Sequence, residues 1–285
     1  MTHRPRRSVL YMPGSKARAL DKAASLPADA LILDLEDAVT PTEKIAARDL
    51  VAERVAGRPF GPREVIVRVN GADTEWGAGD LAAAARARPD AILLPKVESA
   101  QDIARAREVA GDIPLWAMME TPRGILNAAA IAAAPGLACM VMGTNDLAKE
   151  LQASHVAGRE PLLTSLGLAV LAARAHGLAI VDGVYNAFKD DEGLRRECEQ
   201  GRAMGFDGKT LIHPAQLAIA NEVFAPSPEA LEEARAQIAA HEQAAAEGGG
   251  VAVVNGRIVE NLHVETARRL LAQADAIAAL EAAAG

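Results

Sequence analysis

Eight short apolar runs recur along this chain, at residues 8–12, 30–34, 65–69, 91–95, 115–119, 138–142, 178–184 and 209–212. The stretches between them, such as 44–55, 99–110 and 162–176, are rich in Ala and Leu, with charges at helical spacing. Strands that alternate with helices build βαβ units and a parallel sheet. Eight such units in about 220 residues fit a closed (β/α)8 TIM barrel. An open doubly wound sheet is the alternative. It calls for a glycine-rich phosphate turn after the first strand, and Pro13-Gly14-Ser15 lacks that pattern. Only 3% of the residues are aromatic, so Ala, Val, Leu and Ile must fill the core. Small aliphatic residues suit helices packed over a parallel sheet.

The residues just past each run are polar. They are Pro13-Gly14, Glu36-Asp37, Arg68 and Asn70, Lys96 and Glu98, Glu120, Asn145-Asp146, Asp182 and Tyr185, and His213. A barrel of this type builds its site at the C-terminal ends of its strands.

Two of these acids form the candidate metal pair. Glu120 closes the run LWAMME and is followed by Thr121-Pro122; Asp146 follows ACMVMG in the segment GTND. Acids at neighbouring strand ends are costly unless a cation lies between them. None of the six histidines has HxH or HExxH spacing, so a zinc site is not indicated. Two oxygen ligands, with water and substrate completing an octahedron, describe Mg2+. The competing reading makes both acids helix N-caps. It is stronger for Asp146, because Glu is a poor cap.

Arg68 ends the third run and precedes Asn70. A guanidinium at a barrel mouth can hold a carboxylate or a developing oxyanion. It can equally be a structural ion pair with Glu36 or Asp37. Those two acids either hold waters bound to the metal or fix Arg68 and Lys96. Gly143-Thr144 adds turn N–H groups suited to a carboxylate.

The net charge of −8 and pI near 5.4 argue against a general nucleic-acid binder. The first 22 residues are nonetheless basic. Residues 1–7 read as a solvated, partly disordered start, and Lys16, Arg18 and Lys22 as a patch for an anionic ligand. Cys139 and Cys198 lack paired spacing and read as buried small apolar residues. No apolar run is long enough to span a membrane. The run at 8–12 is too short for a signal-peptide core, so a cytoplasmic protein is expected.

The domain reading is a barrel over residues 1–225 and a C-terminal extension over 226–285. The extension reads as helix 226–247, a glycine break at Gly248-Gly249-Gly250, a hairpin turning at Asn255-Gly256, and helix 264–284. It is either a cap on the barrel or an arm that packs on another subunit.

Taken together, the segments RSVLYMPGSKARALDKA, LILDLEDAV, VIVRVNG, AILLPKVES, METPRGILNA, MGTNDLAKEL, GKTLIHPAQL and FAPSPEAL resemble the citrate lyase β-subunit-like family of CoA-ester lyases, within the HpcH/HpaI aldolase superfamily. They span residues 7 to about 230 in order, and VNGRIVENLHVETARRLL continues the match. The resemblance implies Glu120 and Asp146 as Mg2+ ligands and Arg68 at the thioester and α-carbon. It implies Tyr11, Met12, Lys16, Arg18 and Lys22 as a CoA-contacting stretch. Asn145 would hold the carboxylate of the small acid, and Ile212 and His213 would line the acyl-CoA channel. The family's lyases carry an Asp in the tail hairpin that serves a neighbouring subunit; Glu260 stands here, one methylene longer.

The implied reaction is reversible retro-Claisen cleavage of a 3-hydroxyacyl-CoA such as malyl-CoA or citramalyl-CoA. The products are acetyl-CoA and glyoxylate or pyruvate, with Arg68 and Glu260 catalytic and the chain a homotrimer or hexamer. Hydrolysis of the same thioester is the alternative. A citrate lyase β-type subunit acting on an acyl carrier partner is a third reading.

Overall fold

Closing a parallel sheet gives every strand an inner and an outer face, with side chains alternating between them. In the computed structural model, which describes residues 4–246 and 251–284, the chain obeys this alternation strand by strand. The strands are β1 Ser8–Pro13, β2 Ala30–Asp34, β3 Glu64–Arg68, β4 Ala91–Leu94, β5 Leu115–Met119, β6 Leu137–Met142, β7 Ala179–Asp182 and β8 Gly208–Leu211. Each pairs in parallel with the next in chain order, and β8 returns to β1 with Lys209 opposite Ser8. The result is the closed eight-stranded barrel expected from the sequence.

Val9, Ile32, Ile66, Leu93, Trp116, Met118, Val141 and Val181 fill the lumen. Their neighbours Leu10, Leu31, Leu33, Val67, Ile92, Met140 and Ile180 face outward and pack with Ala, Val and Leu of the surrounding helices. The helix Ala100–Ala110 shows how local sequence sets those helices. Ser99 caps it, and the Asp102 carboxylate accepts the Ser99 N–H in return.

Arg6 and Arg7 depart from the reading of a solvated start. Arg6 donates to both Glu64 oxygens at 2.7 and 2.8 Å and lies 5.0 Å over the Trp116 ring. Arg7 makes a two-pronged contact with Asp29 at 2.9 Å and is 5% exposed. Burial without partners would expel these cations, so the waiting acids of β3 and of the turn before β2 decide their place.

Asp182 is a second departure. Val181 faces the lumen, so Asp182 faces the helix layer and not the barrel mouth. There it accepts from Arg159 at 2.7 and 2.9 Å and from the fully buried Lys209 at 3.1 Å. Burial alone would raise its pKa, but Lys209 and Arg159 hold it below the usual carboxylate range. Glu197 of the helix Asp191–Met204 accepts a second hydrogen bond from the Lys209 ammonium at 2.6 Å.

Residues Arg6–Phe224 form one compact unit, and residues 225–283 belong to another. The second contains the helix Pro228–Ala246, strands β9 Ala252–Val254 and β10 Arg257–Val259, and the helix Asn261–Ala284. Asn255 and Gly256 both adopt positive φ, +51° and +76°, as the tight primed turn requires. Ala252 and Val259 pair on one face of the hairpin and pack with Val264 and Ile238. Val253 and Ile258 pair on the other face and are about 60% exposed. The expected break at residues 248–250 lies outside the described residues. Both cysteines are free and buried. Among the described residues, no helix is long and apolar enough to cross a membrane.

Asp182→Ala should destabilise the protein by about 3–5 kcal/mol, because it strands Lys209 and Arg159 in the interior. Urea denaturation measures this. A loss below about 1 kcal/mol would contradict the role given to the network.

Candidate active site at the barrel mouth

The alternation that fills the lumen with apolar residues also selects what reaches its C-terminal end. Ala30 and Ile32 point inward, so Asp34 does as well; Ile66 is followed inward by Arg68, and Trp116 and Met118 by Glu120. Asp34 and Arg68 are direct partners in the β2–β3 register. The mouth therefore holds an acid–arginine pair and a third charged residue, all nearly dry.

Asp34 grips the Arg68 guanidinium on one edge, with Nε–Oδ1 and Nη2–Oδ2 both 2.7 Å. The remaining Nη1 lies 2.8 Å from Glu36 Oε2 and 3.3 Å from Asp37 Oδ2. The Tyr11 ring covers one face, 4.9 Å from Cζ. Burial opposes the charge of Arg68, but Asp34, Tyr11 and Glu36 hold its pKa well above normal. The ion-pair reading of Arg68 is thus realised with both Glu36 and Asp37, and Asp34 is the tighter partner. Inward alternation from Ala30 and Ile32 is the sequence signal that marks Asp34. Glu36 also lies 3.7 Å from Lys96 Nζ, so these acids fix Arg68 and Lys96.

Behind this layer, Lys44 donates to the Leu35 and Glu36 carbonyls and to Asn70 Oδ1 at 2.6–2.8 Å. Asn70 in turn donates to Asp80 at 2.6 Å, and Arg48 holds Asp80 at 2.6 Å. This chain braces the turn that carries Glu36. Sequence reasoning did not find it, since its members come from helices and loops without a shared motif.

Glu120 is 2% exposed. One oxygen, Oε1, accepts the Lys96 N–H at 2.7 Å. Lys96 adopts left-handed φ of +49° to deliver it, a strained geometry for a residue with a side chain. The other oxygen faces Gly143. A Cβ there would meet Glu120 Cβ and Oε2 at 2.4 Å, so only glycine leaves the carboxylate its place. Thr121 caps the helix Pro122–Leu126 by accepting the Gly124 N–H at 3.0 Å. Asp146 is the third residue of the helix Thr144–Glu150, which begins at Gly143 without a side-chain cap. Neither Glu120 nor Asp146 caps a helix, and both carboxylates remain for other work.

The electrostatics of the mouth ask for a cation. Burial, then the charges of Glu36 and Asp146, push Glu120 up to about 8, although the Lys96 N–H and Arg68 pull the other way. Burial, with Asp37 and Asp34 beside it, raises Glu36 to about 7. Its Oε2 is buried without a well-aligned hydrogen bond. The fixed cations at hand, Arg68 and Lys96, do not offset the acids. Hard carboxylate oxygens, one of them in a cradle kept open by Gly143, suit Mg2+. Among the described residues, no group of three or more His, Cys, Asp or Glu could hold an ion. An ion at Glu120 and Asp146 would therefore take its other ligands from water and substrate.

The remaining residues named from the sequence divide by place. Asn145 is exposed beside Asp146 and exchanges amide hydrogen bonds with Asn186, at 2.8 and 3.3 Å. Lys16, Arg18 and Lys22 are exposed after β1, with Lys16 Nζ 3.1 Å from Glu43. Met12 alternates outward into the barrel–helix core and is 5% exposed. Tyr11 faces inward, its hydroxyl donating to Met118 Sδ at 3.5 Å. Ile212 and His213 are exposed past β8. Glu260 stands at the end of the hairpin in the second unit, its N–H donating to His263 Nδ1 at 2.9 Å.

Comparison with known proteins places these features. The family model for HpcH/HpaI aldolase/citrate lyase matches residues 7–214, and one for carbon–carbon bond lyases of the TIM-barrel fold matches residues 162–278. A (3S)-malyl-CoA thioesterase of Cereibacter sphaeroides is 64% identical over 278 residues, 98% of each chain. An L-malyl-CoA/β-methylmalyl-CoA lyase of the same species is 35% identical, covering 97% of this chain and 96% of that one. The solved structure of CitE from Mycobacterium tuberculosis with magnesium, acetoacetate and coenzyme A superposes with a TM-score of 0.81 at 31% identity. It covers 96% of this chain and all of that chain.

The raised Glu120 gives a signed pH dependence. Its folded pKa of about 8 exceeds the ordinary 4.5, so between those values the folded state holds a proton that the unfolded state has released. Ion-free stability should thus fall as pH rises through this window. Mg2+ binds the ionised form, so its increment in Tm should be larger near pH 8.5 than near pH 6. Scanning calorimetry with and without MgCl2 reads both; an increment independent of pH would contradict the placement of the ion at Glu120.

Proposed function

The chain belongs to the HpcH/HpaI aldolase/citrate lyase family, and on that premise we propose that it hydrolyses a malyl-type 3-hydroxyacyl-CoA thioester at the barrel mouth, with Mg2+ between Glu120 and Asp146. The observation that carries the site is Glu120, a buried carboxyl raised to about 8 despite Arg68 and Lys96 nearby. The choice of hydrolysis rests on the 64% identity to a malyl-CoA thioesterase. The sequence motifs alone rank carbon–carbon cleavage first. Cleavage stays as the second reading, since an arginine at the mouth suits an enolate as well as a tetrahedral oxyanion, and the lyase relative spans nearly the whole chain.

Bound at the two acids, Mg2+ would offset their charge and hold the hydroxyl and carboxylate of the acid fragment. The chain's own residues do the rest. Asn145 donates its amide to the free carboxylate. Arg68 turns Nη1 to the thioester carbonyl oxygen in competition with Glu36, while Asp34 keeps the guanidinium edge aligned. Water attacks the carbonyl carbon, and the charge that develops on oxygen falls beside Arg68. The tetrahedral centre then collapses: the C–S bond breaks, CoA leaves as the thiolate, and the new carboxylic acid gives its remaining water proton to that thiolate, leaving a carboxylate and free CoA. Glu260 of a second copy takes the proton from the attacking water.

The C-terminal unit, in this reading, is an arm that packs on a neighbouring copy in a homotrimer or hexamer. The paired Val253 and Ile258 support it. With Leu262, 58% exposed at the start of the helix that follows, they give the arm exposed apolar side chains close in sequence to Glu260 that another surface would cover.

Malyl-CoA incubated with the protein and Mg2+ should yield free CoA and malate. Acetyl-CoA with glyoxylate would transfer the reading to cleavage, and neither product set would overturn the CoA-ester assignment. Glu120→Ala and Asp146→Ala should each lower turnover by roughly a hundredfold or more, the loss of several kcal/mol of charge stabilisation, with unchanged circular dichroism. Full activity in both would remove the ion from this site.

A mixture of Glu260→Ala and Arg68→Ala chains should regain activity that neither has alone. No recovery in verified mixed oligomers would place the whole site within one chain.

A further inference from the structure

This chain hides its aromatic residues, with one exception. Of its eight Phe, Tyr and Trp side chains, Phe188 alone is exposed, at 38%. It lies in the loop between β7 and the helix Asp191–Met204, and its ring stacks on His213 from the loop after β8. The centroids are 4.6 Å apart and the planes 28° from parallel. Ile212, 41% exposed, adjoins His213 in the chain. Lys189 Nζ sits 5.7 Å from the centre of the Phe188 ring.

The pair is built, and its two loops are tied together from below. Gln216, fully buried, accepts the N–H groups of Ile212 and His213 at 3.0 and 3.2 Å. Its amide then donates to the Tyr185 carbonyl across the gap at 2.9 Å. Tyr185 is anchored again through its hydroxyl, 2.6 Å from Asp190. The Ala215 N–H donates to His213 Nδ1 at 3.2 Å, which fixes the imidazole plane. Two flat rings held in register, one of them partly exposed and with a flexible cation over it, form a stacking surface prepared before any ligand arrives. The barrel order brings β7, β8 and β1 together, so this surface shares one sector of the mouth with the exposed Lys16, Arg18 and Lys22.

We propose that Phe188, backed by His213, is the platform on which the adenine base of the CoA thioester stacks, with Lys189 and the cations after β1 facing its phosphates. The proposal rests on the reading of the substrate as a CoA ester. It concerns the end of the substrate far from the reacting thioester, so Phe188 is a binding residue and not a catalytic one. A phenyl ring is the right chemistry for a base, since every base has a π-face and stacking needs no hydrogen-bond match.

Truncating the substrate separates this role from every other. Phe188→Ala should raise KM for malyl-CoA about tenfold or more, as loss of one base–aromatic stack predicts, with kcat within about twofold. The same variant should shift kcat/KM for the malyl thioester of pantetheine, which lacks the nucleotide, by less than about twofold. Phe188→Trp should restore the KM for malyl-CoA. An equal loss on both thioesters would overturn the proposal, because Phe188 would then serve the reacting end or the fold; no loss on either would overturn it too. Calorimetry of CoA itself reads the subsite without turnover. Weaker binding to Phe188→Ala than to the wild type supports the platform even if hydrolysis is the wrong reaction, and equal binding overturns it.

Discussion

Glu120 shares a nearly dry barrel mouth with Asp34 and Glu36, the half-buried Asp146 adds its charge, and the arginine beside it is already taken. Asp34 occupies one edge of the Arg68 guanidinium with two short hydrogen bonds, and Glu36 and Asp37 approach its remaining nitrogen. What is left of the local charge balance is negative, and Glu120 answers by holding its proton up to about pH 8. A fold tolerates such a deficit where something arrives to fill it. Gly143 keeps the space beside the carboxylate open, Lys96 accepts a strained backbone to steady it, and the Lys44–Asn70–Asp80 chain braces the turn behind Glu36.

The same deficit connects the site to its chemistry. An ion bound at Glu120 and Asp146 would offset their charge, and a substrate at the mouth would compete with Glu36 and Asp37 for Arg68 Nη1, the nitrogen that Asp34 does not hold. Whether the arginine stabilises a tetrahedral oxyanion or an enolate depends on what is placed opposite it, and Glu260 of the C-terminal arm is the group proposed for that place. Hydrolysis and carbon–carbon cleavage would both draw on the same acids and the same arginine at the mouth. That is consistent with a thioesterase and a lyase both being similar to this chain along nearly their whole lengths.

Much of the fold was legible in the sequence because barrel strands are short, apolar and regularly spaced. All eight runs are strands, and their ends move by no more than two residues. The Asn255-Gly256 turn was equally clear, since two consecutive positive φ values demand those residues. What the pattern of apolar runs could not show was direction. Asp182 looks like a mouth residue in a list of strand ends, yet one step of alternation turns it toward the helices and into the grip of Lys209 and Arg159. The same step turns Asp34 inward, where it holds Arg68. Arg6 and Arg7 read as a solvated start because their partners, Glu64 and Asp29, lie 58 and 22 residues away. Pairings over such distances leave no local signal, and neither does the Phe188–His213 stack, which joins two loops of unremarkable composition.

If the two acids at the ends of neighbouring strands share one divalent ion, anomalous scattering from crystals grown with Mn2+ in place of Mg2+ will locate it. One strong peak is expected within about 2.2 Å of a carboxylate oxygen of Glu120 and of Asp146, the spacing of a hard octahedral ion, with Arg68 still clasped by Asp34. A map with no peak there, or with the ion bound elsewhere and Glu120 still sealed against Gly143, would contradict it.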